Sequence, residues 1–279
     1  MQKITPEEVK LISGYIYGVS GISLDQSKAY LFETRLGTLL EELNCSSFRE
    51  LYSKAMGDKG KIIEKKIIDA ISTNETLFFR DNSPFDMLKH KIIPDLIDKR
   101  ASKSPALPSK LRIWSAACST GQEVYSIAII LKELLPDMRK FNIQLLGTDI
   151  SDTAVKQASY GKYNKFEIER GLSSSILNKH FTSEGNSWKI SDEIRSMASF
   201  RKINLMHPFS SLGKFDIIFC RNVAIYFTLK DRKKLFDKIG DKLEPDGSLL
   251  IGSTESLTGI STKFEPKRHM RSIFYQLKG

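Results

Sequence analysis

The sequence predicts an α/β protein in which a small all-helical N-terminal domain precedes a larger domain built on a mostly parallel sheet. Two observations support this prediction. Apolar residues recur at helical spacing over residues 1–75, whereas short apolar runs typical of buried strands alternate with helical stretches after residue 110. A strand, a helix and a second strand in succession form a β-α-β unit, and such units imply parallel strands.

The N-terminal helices are predicted from their capping residues. The stretch "TPEEVKLISGYI" has Thr5 as N-cap, Pro6 at the first helical position and Glu8 three residues after the cap, which is a capping box. Ser47 and Glu50 form the same pattern in "SSFRELYSKAM". Helical spacing also appears in "AYLFETRLGTLLEEL" and "KIIEKKIIDAI", so this part of the chain is predicted to form a small helical bundle.

A helical segment and a linker are predicted next. "SPFDMLKHKIIPDLIDK" has helical spacing and is expected to be kinked or broken at Pro94. Residues 101–110, "ASKSPALPSK", contain two prolines and three serines without apolar periodicity, as expected of a surface linker. The predicted division is a helical domain at 1–75, an inter-domain segment and linker at 76–110, and a sheet domain at 111–279.

Four buried strands are predicted in the sheet domain, in "LRIWSAA", "FNIQLLGTDI", "FDIIFCRN" and "GSLLIGST". The helix "EVYSIAIILKELL" separates the first two strands. The last two are separated by a helix that starts with Thr228 and Asp231 and ends near Pro245 and Gly247. "RSIFYQLKG" is expected to be a final strand preceded by a hairpin.

The stretch between the second and third of these strands is less regular. "TAVKQASYG" and "SSSILNKHF" are predicted to be short helices. "NSWKI" and "MASFRKIN" are predicted to be strands of a small β insertion near residues 175–200.

The composition predicts a soluble protein. No run approaches the ~20 apolar residues of a membrane helix, and "MQKITPEEVK" lacks the basic-then-apolar order of a signal peptide, so a cytoplasmic location is expected. Cys45, Cys118 and Cys220 are far apart and form no CxxC pair, so neither disulfides nor a metal site is expected.

Residues 1–100 hold 15 basic and 15 acidic side chains, so the net charge of +10 lies wholly in the rest of the chain. Such a basic surface attracts acidic partners or only keeps the protein soluble.

Four loops are candidates for a ligand site, because open α/β sheets bind ligands at the carboxyl ends of their strands. They are "ACSTGQE", "TDIS", "NLMHP" and "CRNVAIYF". Asp149, which ends the second strand, can accept hydrogen bonds from ribose hydroxyls or, alternatively, cap the helix that begins near Asp152. Because Gly121 is the only glycine of the first loop, a GxGxxG cradle is missing, which favours a nucleoside ligand without phosphates.

Five motifs follow one another along the chain: "STNETLFFRD", "IWSAACSTGQEVYSIAI", "LLGTDIS", "INLM" and "FDIIFCRNVAIYF". In this order and at these separations they resemble the chemotaxis receptor methyltransferases (CheR). Members of that family transfer a methyl group from S-adenosylmethionine to glutamate side chains of methyl-accepting chemotaxis receptors. The resemblance covers nearly the whole chain and implies a doubly wound, mostly parallel seven-stranded Rossmann-like methyltransferase sheet. It also implies S-adenosylmethionine as cofactor and S-adenosylhomocysteine as product.

The resemblance further implies a cofactor pocket and a catalytic pair. The inter-domain segment would contribute Asn74, Thr76 and Arg80. The cofactor's amino-acid and ribose parts would be bound by Glu123 and Asp149. The adenosine end would be lined by Asn204, Leu205, Arg221 and Asn222. The catalytic residues nearest the methyl group would be Arg80 and Tyr226.

The chemistry of these side chains suits that role. The methyl donor is a sulfonium cation with an amino-acid tail and a ribose, so its site needs carboxylates and no phosphate cradle. A substrate glutamate, with a pKa of about 4.3 in model peptides, is ionised at neutral pH and needs no general base. Arg80 can hold one carboxylate oxygen while the other attacks, and Tyr226 can position either partner through its hydroxyl.

Each of these residues also has a purely structural interpretation. Asn74 and Thr76 can form a turn, and Arg80 can be a surface cation. Glu123 can stabilise the first turn of a helix, and Tyr226 can be a core aromatic residue.

Two departures from the family pattern stand out. Gln122 and Val124 replace the second acidic residue and the proline of the usual "TGEEPYS" turn, but Glu123 is retained. The second N-terminal helix, arginine-rich in the family, has only Lys28 and Arg35 against three glutamates. Docking on the cytoplasmic helical region of a receptor is therefore expected to use the basic second domain, for example Lys162, Lys165, Arg201 and Lys202.

The candidate hairpin "TSEGNSWKISDEIRS" is shorter than in members that bind a pentapeptide at a receptor's C-terminus. No tether binding is expected, and the protein is expected to be a monomer.

Two other functions compete with receptor methylation. The charge of +10 suggests a nucleic-acid methyltransferase, but "CRNVAIYF" stands where base amino-methylases have Asn/Asp-Pro-Pro-aromatic, so no nucleic-acid partner is expected. The other is a regulatory module that binds the cofactor without catalysis. The presence of both candidate catalytic residues, Arg80 and Tyr226, argues against it.

Overall fold

The computed structural model describes residues 2–101, 109–135, 137, 140–270 and 272–279. Its α-helices are α1 (Pro6–Ser20), α2 (Ala29–Glu42), α3 (Phe48–Gly57), α4 (Ile62–Ile71), α5 (Ser83–Met87), α6 (Ile93–Ala101), α7 (Gln122–Leu134), α8 (Asp152–Tyr160), α9 (Lys165–Glu169), α10 (Ser174–His180), α11 (Asp192–Ser196) and α12 (Leu229–Lys242). Its strands are β1 (Ser109–Ala116), β2 (Phe141–Asp149), β3 (Lys162–Asn164), β4 (Phe181–Glu184), β5 (Ser187–Ile190), β6 (Ala198–Lys202), β7 (Phe215–Cys220), β8 (Leu243–Ile251), β9 (Phe264–His269) and β10 (Ser272–Leu277). Most of the predicted linker at 101–110 lies outside the described residues.

Seven strands form the main sheet, in the order β6-β2-β1-β7-β8-β10-β9. The first five of these run parallel, whereas β10 is antiparallel to both β8 and β9. The strand order reverses between β1 and β7. This confirms the doubly wound, mostly parallel fold, and the reversal places a binding crevice at the carboxyl ends of the central strands.

Both faces of the sheet are covered. Successive residues of a strand point to opposite faces, and the residues of each face pack into a different core. Ile113 of β1 belongs to a buried core with residues of α7, such as Ile127. The next residue, Trp114, belongs to a second buried core with Phe236 of α12. All six residues of β7 are buried, as expected of a central parallel strand.

The four N-terminal helices pack around a separate core that includes Ile12, Phe32, Leu36, Phe48 and Ile67. This is the predicted helical bundle. None of the helices in the described ranges is both long and apolar enough to cross a membrane.

The two predicted capping boxes have different outcomes. Thr5 and Glu8 form the complete box, since each side chain accepts a hydrogen bond from the other residue's backbone N–H. Ser47 caps α3 by accepting from the N–H of Glu50 at 3.1 Å. The Glu50 carboxylate, however, accepts from the N–H of Ser46 at 2.7 Å, one residue before the cap. The N-cap was therefore predicted correctly, while the reciprocal hydrogen bond was not.

The helical segment before the linker is not broken at Pro94. A π-helical turn, Leu88–Ile92, follows α5 and leads directly into α6, in which Pro94 is the second residue. Pro94 cannot donate the hydrogen bond that closes an α-helical turn, and the wider π turn directly ahead of it accommodates the proline without ending the helix. The irregularity therefore precedes the proline.

Phe78 and Phe79, the two aromatic residues of the motif "STNETLFFRD", pack against other aromatic side chains. Phe78 is fully buried and packs edge to face on Tyr163 and Phe181, with ring centroids 5.0 and 5.4 Å apart. The ring of Phe79 lies 5.5 Å from that of Phe85. The inter-domain segment is thus anchored by two aromatic side chains.

The small β insertion differs from the sequence prediction. Its three strands have the order β3-β5-β4 and span residues 162–190, earlier than the expected 175–200. "NSWKI" does form one of them, β5. "MASFRKIN" forms β6, which pairs in parallel with β2 at the edge of the main sheet, so assigning it to the insertion was wrong. The chain returns to the main sheet sooner than the pattern indicated, because a short amphipathic strand suits either sheet equally well.

The carboxyl-terminal elements agree more closely with the prediction. Thr228 caps α12, accepting from the N–H of Asp231 at 3.2 Å. The helix ends at Lys242 and β8 begins at once, so Pro245 and Gly247 lie inside the strand, where its pairing with β7 is irregular. The predicted final hairpin is formed by β9 and β10.

Candidate functional site

A cleft of about 1120 Å³, mouth included, opens at the carboxyl ends of β1, β2 and β7. All four predicted loops contribute to its wall. The N-terminal helical region contributes Leu31, Arg35 and Ile71, and the inter-domain segment contributes Thr76 and Arg80. All ten residues predicted for the site line this one cleft: Asn74, Thr76, Arg80, Glu123, Asp149, Asn204, Leu205, Arg221, Asn222 and Tyr226.

The backbone around the cleft is strained. Left-handed φ values occur at six non-glycine residues in or beside its lining: Phe79, Asp81, Asn82, Ala117, Ser119 and Asn222. Such conformations cost roughly 1–3 kcal/mol each and persist only where the surroundings impose them. The loops of the cleft are therefore held in place by specific contacts.

Asp149 is buried at the end of β2. Its carboxylate accepts hydrogen bonds from the N–H of Ser119 at 2.8 Å and of Ser151 at 3.0 Å. Burial raises the pKa of Asp149 above its usual value, although these hydrogen bonds act in the opposite direction. The N-cap of α8 is Ser151, so the alternative in which Asp149 caps that helix is excluded.

Glu123 and Arg221 form an ion pair in the wall of the cleft. Glu123 lies in the first turn of α7, and its carboxylate accepts from the Oγ of Ser115 at 2.8 Å and from Nη1 of Arg221 at 2.8 Å. The Arg221 side chain is only 2% exposed. Its Nη2 donates to the backbone oxygen of Arg80 at 2.9 Å and to the carboxylate of Asp81 at 2.8 Å. Arg221 therefore joins the end of β7 to α7 and to the inter-domain segment.

Arg80 and Tyr226 come from opposite sides of the cleft. The guanidinium of Arg80 donates to the backbone oxygen of Glu75 at 3.0 Å, and the side chain remains partly exposed. Tyr226 ends a 3₁₀ turn, Ala224–Tyr226, and its backbone oxygen accepts from the N–H of Ser23 at 2.9 Å. A residue beyond α1 thus holds the turn that carries Tyr226.

The residues predicted for the adenosine end differ in what their side chains do. The amide of Asn204 donates to the backbone oxygen of Val19 at 2.8 Å and accepts from the N–H of Met206 at 2.9 Å. Leu205 is buried in the second core. Asn222 is held in its left-handed conformation by its N–H, which donates to Glu255 at 2.8 Å. Asn204 therefore also fixes the N-terminal region to the sheet.

Most of the surface cations predicted to dock a receptor form ion pairs with acidic side chains of the same chain. Lys162, Lys165 and Lys202, predicted to dock a receptor, form ion pairs with Glu184, Glu169 and Asp152 at 2.9, 3.7 and 2.6 Å. Three of the four proposed docking cations thus have acidic partners already.

Two family models match the chain. The model of the CheR methyltransferase S-adenosylmethionine-binding domain matches residues 74–273, and that of the CheR all-alpha domain matches residues 7–66. The chain belongs to the CheR methyltransferase family. S-adenosylmethionine is therefore its cofactor, and it is an S-adenosylmethionine-dependent methyltransferase.

Relatives of this CheR chain match it along almost their whole length. Chemotaxis protein methyltransferase Cher2 of Pseudomonas putida is 38% identical over 262 residues, which cover 92% of this chain and 93% of the relative. Chemotaxis protein methyltransferase 1 of Vibrio cholerae is 37% identical, covering 99% of this chain and 98% of the relative. Among solved structures, the magnesium protoporphyrin IX methyltransferase of Synechocystis is 14% identical, with a TM-score of 0.40 over 87% of this chain and 96% of that one.

The polar groups of the CheR cleft fit S-adenosylmethionine. Two carboxylates line the cleft: Asp149 ends β2, and Glu123 follows the neighbouring strand β1. Carboxylates accept hydrogen bonds from ribose hydroxyls and from an ammonium group. The loop after β1 contains the single glycine Gly121, which fits a ligand without a pyrophosphate. Asp149 can hold the ribose, and Glu123 the amino-acid part.

Two acidic residues that contact the lining of this CheR cleft were missed from the sequence. Asp81 directly follows Arg80 and contacts Arg221, but only Arg80 was assigned from that motif. Glu255 lies after β8 and accepts from the N–H groups of Asn222 and Gly252 at 2.8 and 2.7 Å. The carboxyl end of β8 adjoins that of β7, so the loop "GSTES" could have been included with the other four.

Proposed function

We propose that this protein transfers methyl groups from S-adenosylmethionine to glutamate side-chain carboxylates of methyl-accepting chemotaxis receptors, yielding glutamate methyl esters and S-adenosylhomocysteine. The observation that carries the proposal is that Arg80 and Tyr226 line the same cleft as Asp149 and Glu123. The names of the relatives, which are chemotaxis protein methyltransferases, support the pathway. On this basis, a catalytic pair stands beside a cofactor site.

Each residue of the pair has a distinct task. S-adenosylmethionine supplies an electrophilic methyl group when it is bound. A glutamate carboxylate is already ionised at neutral pH, so the protein has to orient it and need not deprotonate it. Arg80 uses one donor on Glu75, which leaves other donors of its guanidinium for one oxygen of the substrate carboxylate. Tyr226 positions the same group through its hydroxyl.

The rim beside Tyr226 suits an acidic helical partner. Ile225 and Leu229 are apolar side chains that are 49% and 58% exposed on this rim. Lys230, Lys233 and Lys234 follow them on the exposed side of α12. Within the described ranges none of these three lysines forms a salt bridge. We infer that this rim, defined by Ile225, Leu229 and the three lysines, receives the glutamate-rich helical region of the receptor.

Lys230 lies in the first turn of α12 and opposes the helix dipole, whereas Lys233 and Lys234 lie beyond that turn and gain nothing from the dipole. Asp231, the nearest carboxylate on the helix, already accepts from the hydroxyls of Tyr17 and Thr228, at 2.7 and 2.6 Å. These hydroxyls, and more weakly Lys234 and Lys230, lower the pKa of Asp231. The lysines stay more than 4 Å from this carboxylate, so their ammonium groups remain open to the carboxylates of a partner.

The test is methylation of receptor-containing membranes of the same organism with labelled S-adenosylmethionine. Arg80→Ala and Tyr226→Phe are expected to lower turnover by about 10²-fold. Both should lower turnover far more than the affinity for S-adenosylhomocysteine, because the two carboxylates assigned to the cofactor, those of Asp149 and Glu123, are kept. Tyr160→Phe, at an exposed tyrosine of α8 outside the cleft, is the matched control and should keep full activity.

Two outcomes would contradict the proposal. One is the absence of base-labile methyl label on receptors when the protein binds the cofactor. The other is wild-type turnover in both variants. The prediction that no C-terminal receptor pentapeptide binds is tested separately, by titrating such a peptide into the purified protein.

A further inference from the structure

In the wall of the cleft, two carboxylates contact a single guanidinium, so negative charges outnumber positive ones. Arg221 carries one positive charge, whereas Glu123 and Asp81 each carry a negative one, and both lie 2.8 Å from its guanidinium. The side chains of Arg221 and Glu123 are 2% and 13% exposed, so water screens their charges little, whereas Asp81 is 32% exposed and acts through its direct contact with Nη2 of Arg221. The cluster of the three side chains therefore has a net charge of −1.

The second carboxylate changes what Glu123 can do. If Glu123 alone faced Arg221, the pair would be neutral and a poor partner for another cation. Because Asp81 shares the guanidinium, part of the negative charge of Glu123 is left uncompensated. The cofactor enters this cleft with a positively charged α-ammonium group, which a net negative cluster attracts.

We propose that Asp81 is a positioning residue for the cofactor's amino-acid group, acting through Arg221 to keep Glu123 available to the α-ammonium. This inference rests on the proposed role of Glu123 toward that group. Asp81 itself holds the same Nη2 of Arg221 that reaches the backbone of Arg80. It also accepts from the Oγ of Ser253 at 3.3 Å, so its carboxylate is fixed from two sides.

A purely structural role for Asp81 makes a different prediction. Asp81 has φ of +68° between Phe79 and Asn82, which are also left-handed. If its carboxylate only held this strained segment, its loss would weaken the binding of every ligand and lower stability. If it acts on Glu123, the loss is confined to ligands that carry the ammonium group.

The variant Asp81→Asn separates these roles, because asparagine has nearly the same shape and tolerates left-handed backbone. Binding to the full-length protein is measured calorimetrically with three ligands: S-adenosylhomocysteine, its analogue without the α-amino group, and 5′-methylthioadenosine, which lacks the amino-acid tail. We expect about tenfold weaker binding of the first and unchanged binding of the other two. Glu123→Gln should give the same selective loss, and the two substitutions together should lose less than the product of the single effects.

Two controls isolate the charge. Asp86→Asn removes the same charge from the exposed face of α5 and should bind all three ligands like the wild type. Ser253→Ala removes one hydrogen bond from Asp81 but keeps its charge, so it should also be near wild type. Thermal unfolding of each variant reports whether the fold is intact.

The proposal is overturned if Asp81→Asn binds S-adenosylhomocysteine as tightly as the wild type. It is also overturned if all three ligands lose affinity equally, which would make Asp81 structural. Failure of the role of Glu123 has its own signature: Glu123→Gln would then show no preference against the amino-containing ligand. Receptor methylation is not part of any of these measurements, so they remain independent of the proposed substrate.

Discussion

At the scale of single residues, Gly121 shows how closely the loop after β1 is packed. Its φ is +95°, which favours glycine. A Cβ at this position would lie 2.9 Å from the Cβ of Ala158 and 3.1 Å from its Cα, in α8. The hydroxyl of Tyr163 donates to the backbone oxygen of Thr120 at 2.8 Å. Gly121 therefore lets α8 approach the loop that carries Ser119 and leads into Glu123.

Gly121→Ala is expected to lower the free energy of unfolding by about 2–4 kcal/mol, since the backbone penalty adds to overpacking against α8. Gly185→Ala is the matched control. Gly185 also has a positive φ, +66°, but a Cβ there would meet nothing within 4 Å. It should cost only about 1 kcal/mol. Urea unfolding of both variants measures the difference, and equal losses would show that the contact with Ala158 is unimportant.

The residues that line the cleft could be predicted from the sequence, but their hydrogen-bond partners could not. Asp149 follows from its place at the end of a strand, and the resemblance named the other nine. Asn204 was expected to line the cleft and does, yet its amide also bonds Val19, nearly 200 positions earlier. Asp81 was overlooked because its partner Arg221 lies 140 residues away. Pairings across the fold depend on packing, which local patterns do not encode.

At the scale of elements, predictions succeeded where the information is local. Thr5, Ser47 and Thr228 were identified as N-caps because capping depends on residues within one turn. The strand β6 was assigned to the wrong sheet because its choice of partner is decided by β2, more than 50 residues earlier. The π turn before Pro94 has no sequence pattern of its own. Element type was thus easier to predict than element pairing.

The cap of α3 gives an element-scale prediction about pH. Hydrogen bonds to its carboxylate lower the pKa of Glu50 from 4.5 to about 2. The largest contribution comes from the N–H of Ser46, the next from the hydroxyl of Ser46, and a smaller one from Lys54. A lowered folded-state pKa means that the ionised carboxylate stabilises the fold above about pH 4.5 and that this stabilisation is lost as the pH falls toward 2. Glu50→Gln should therefore be less stable than the wild type at pH 7, with the difference shrinking through this acidic range.

Chemical unfolding at a series of pH values tests this prediction. Ser46→Ala is the control: it removes the hydroxyl donor but keeps the backbone N–H, so it should show part of the same loss. A difference between Glu50→Gln and the wild type that does not change with pH would show that the stabilisation by Glu50 is not ionic.

At the scale of the whole molecule, the cleft is closed by both parts of the chain. Tyr17 of α1 donates to Asp231 of α12 at 2.7 Å, and Ser119 donates through its Oγ to the backbone oxygen of Asn74 at 3.0 Å. Residues 1–100 are electrically neutral, so the net charge of +10 lies on residues 101–279, the linker and the sheet domain. Composition located this excess but could not distinguish paired from unpaired lysines.

Charge reversal on the rim tests where a receptor binds. The triple variant Lys230→Glu, Lys233→Glu and Lys234→Glu should raise the KM for receptor roughly tenfold, because like charges then face the substrate region. Cofactor affinity should not change, since these lysines lie outside the cleft lining. A carboxylate at position 230 agrees with the dipole of α12, but carboxylates at 230 and 234 also lie near Asp231, so thermal unfolding of the variant is measured alongside. The wild-type KM should also rise with salt, and that dependence should weaken in the variant.

The matched control reverses Lys162, Lys165 and Lys202, the cations that composition favoured. Each is within 4 Å of an acidic side chain, so its positive field is already partly cancelled. Because exposed pairs of this kind contribute little, the control should change the KM for receptor far less than the rim variant does. A larger loss in the control would place the receptor on the side of the β insertion and would refute docking at the rim. Methylation rates at several receptor concentrations, for both triple variants at two salt concentrations, decide between the two surfaces.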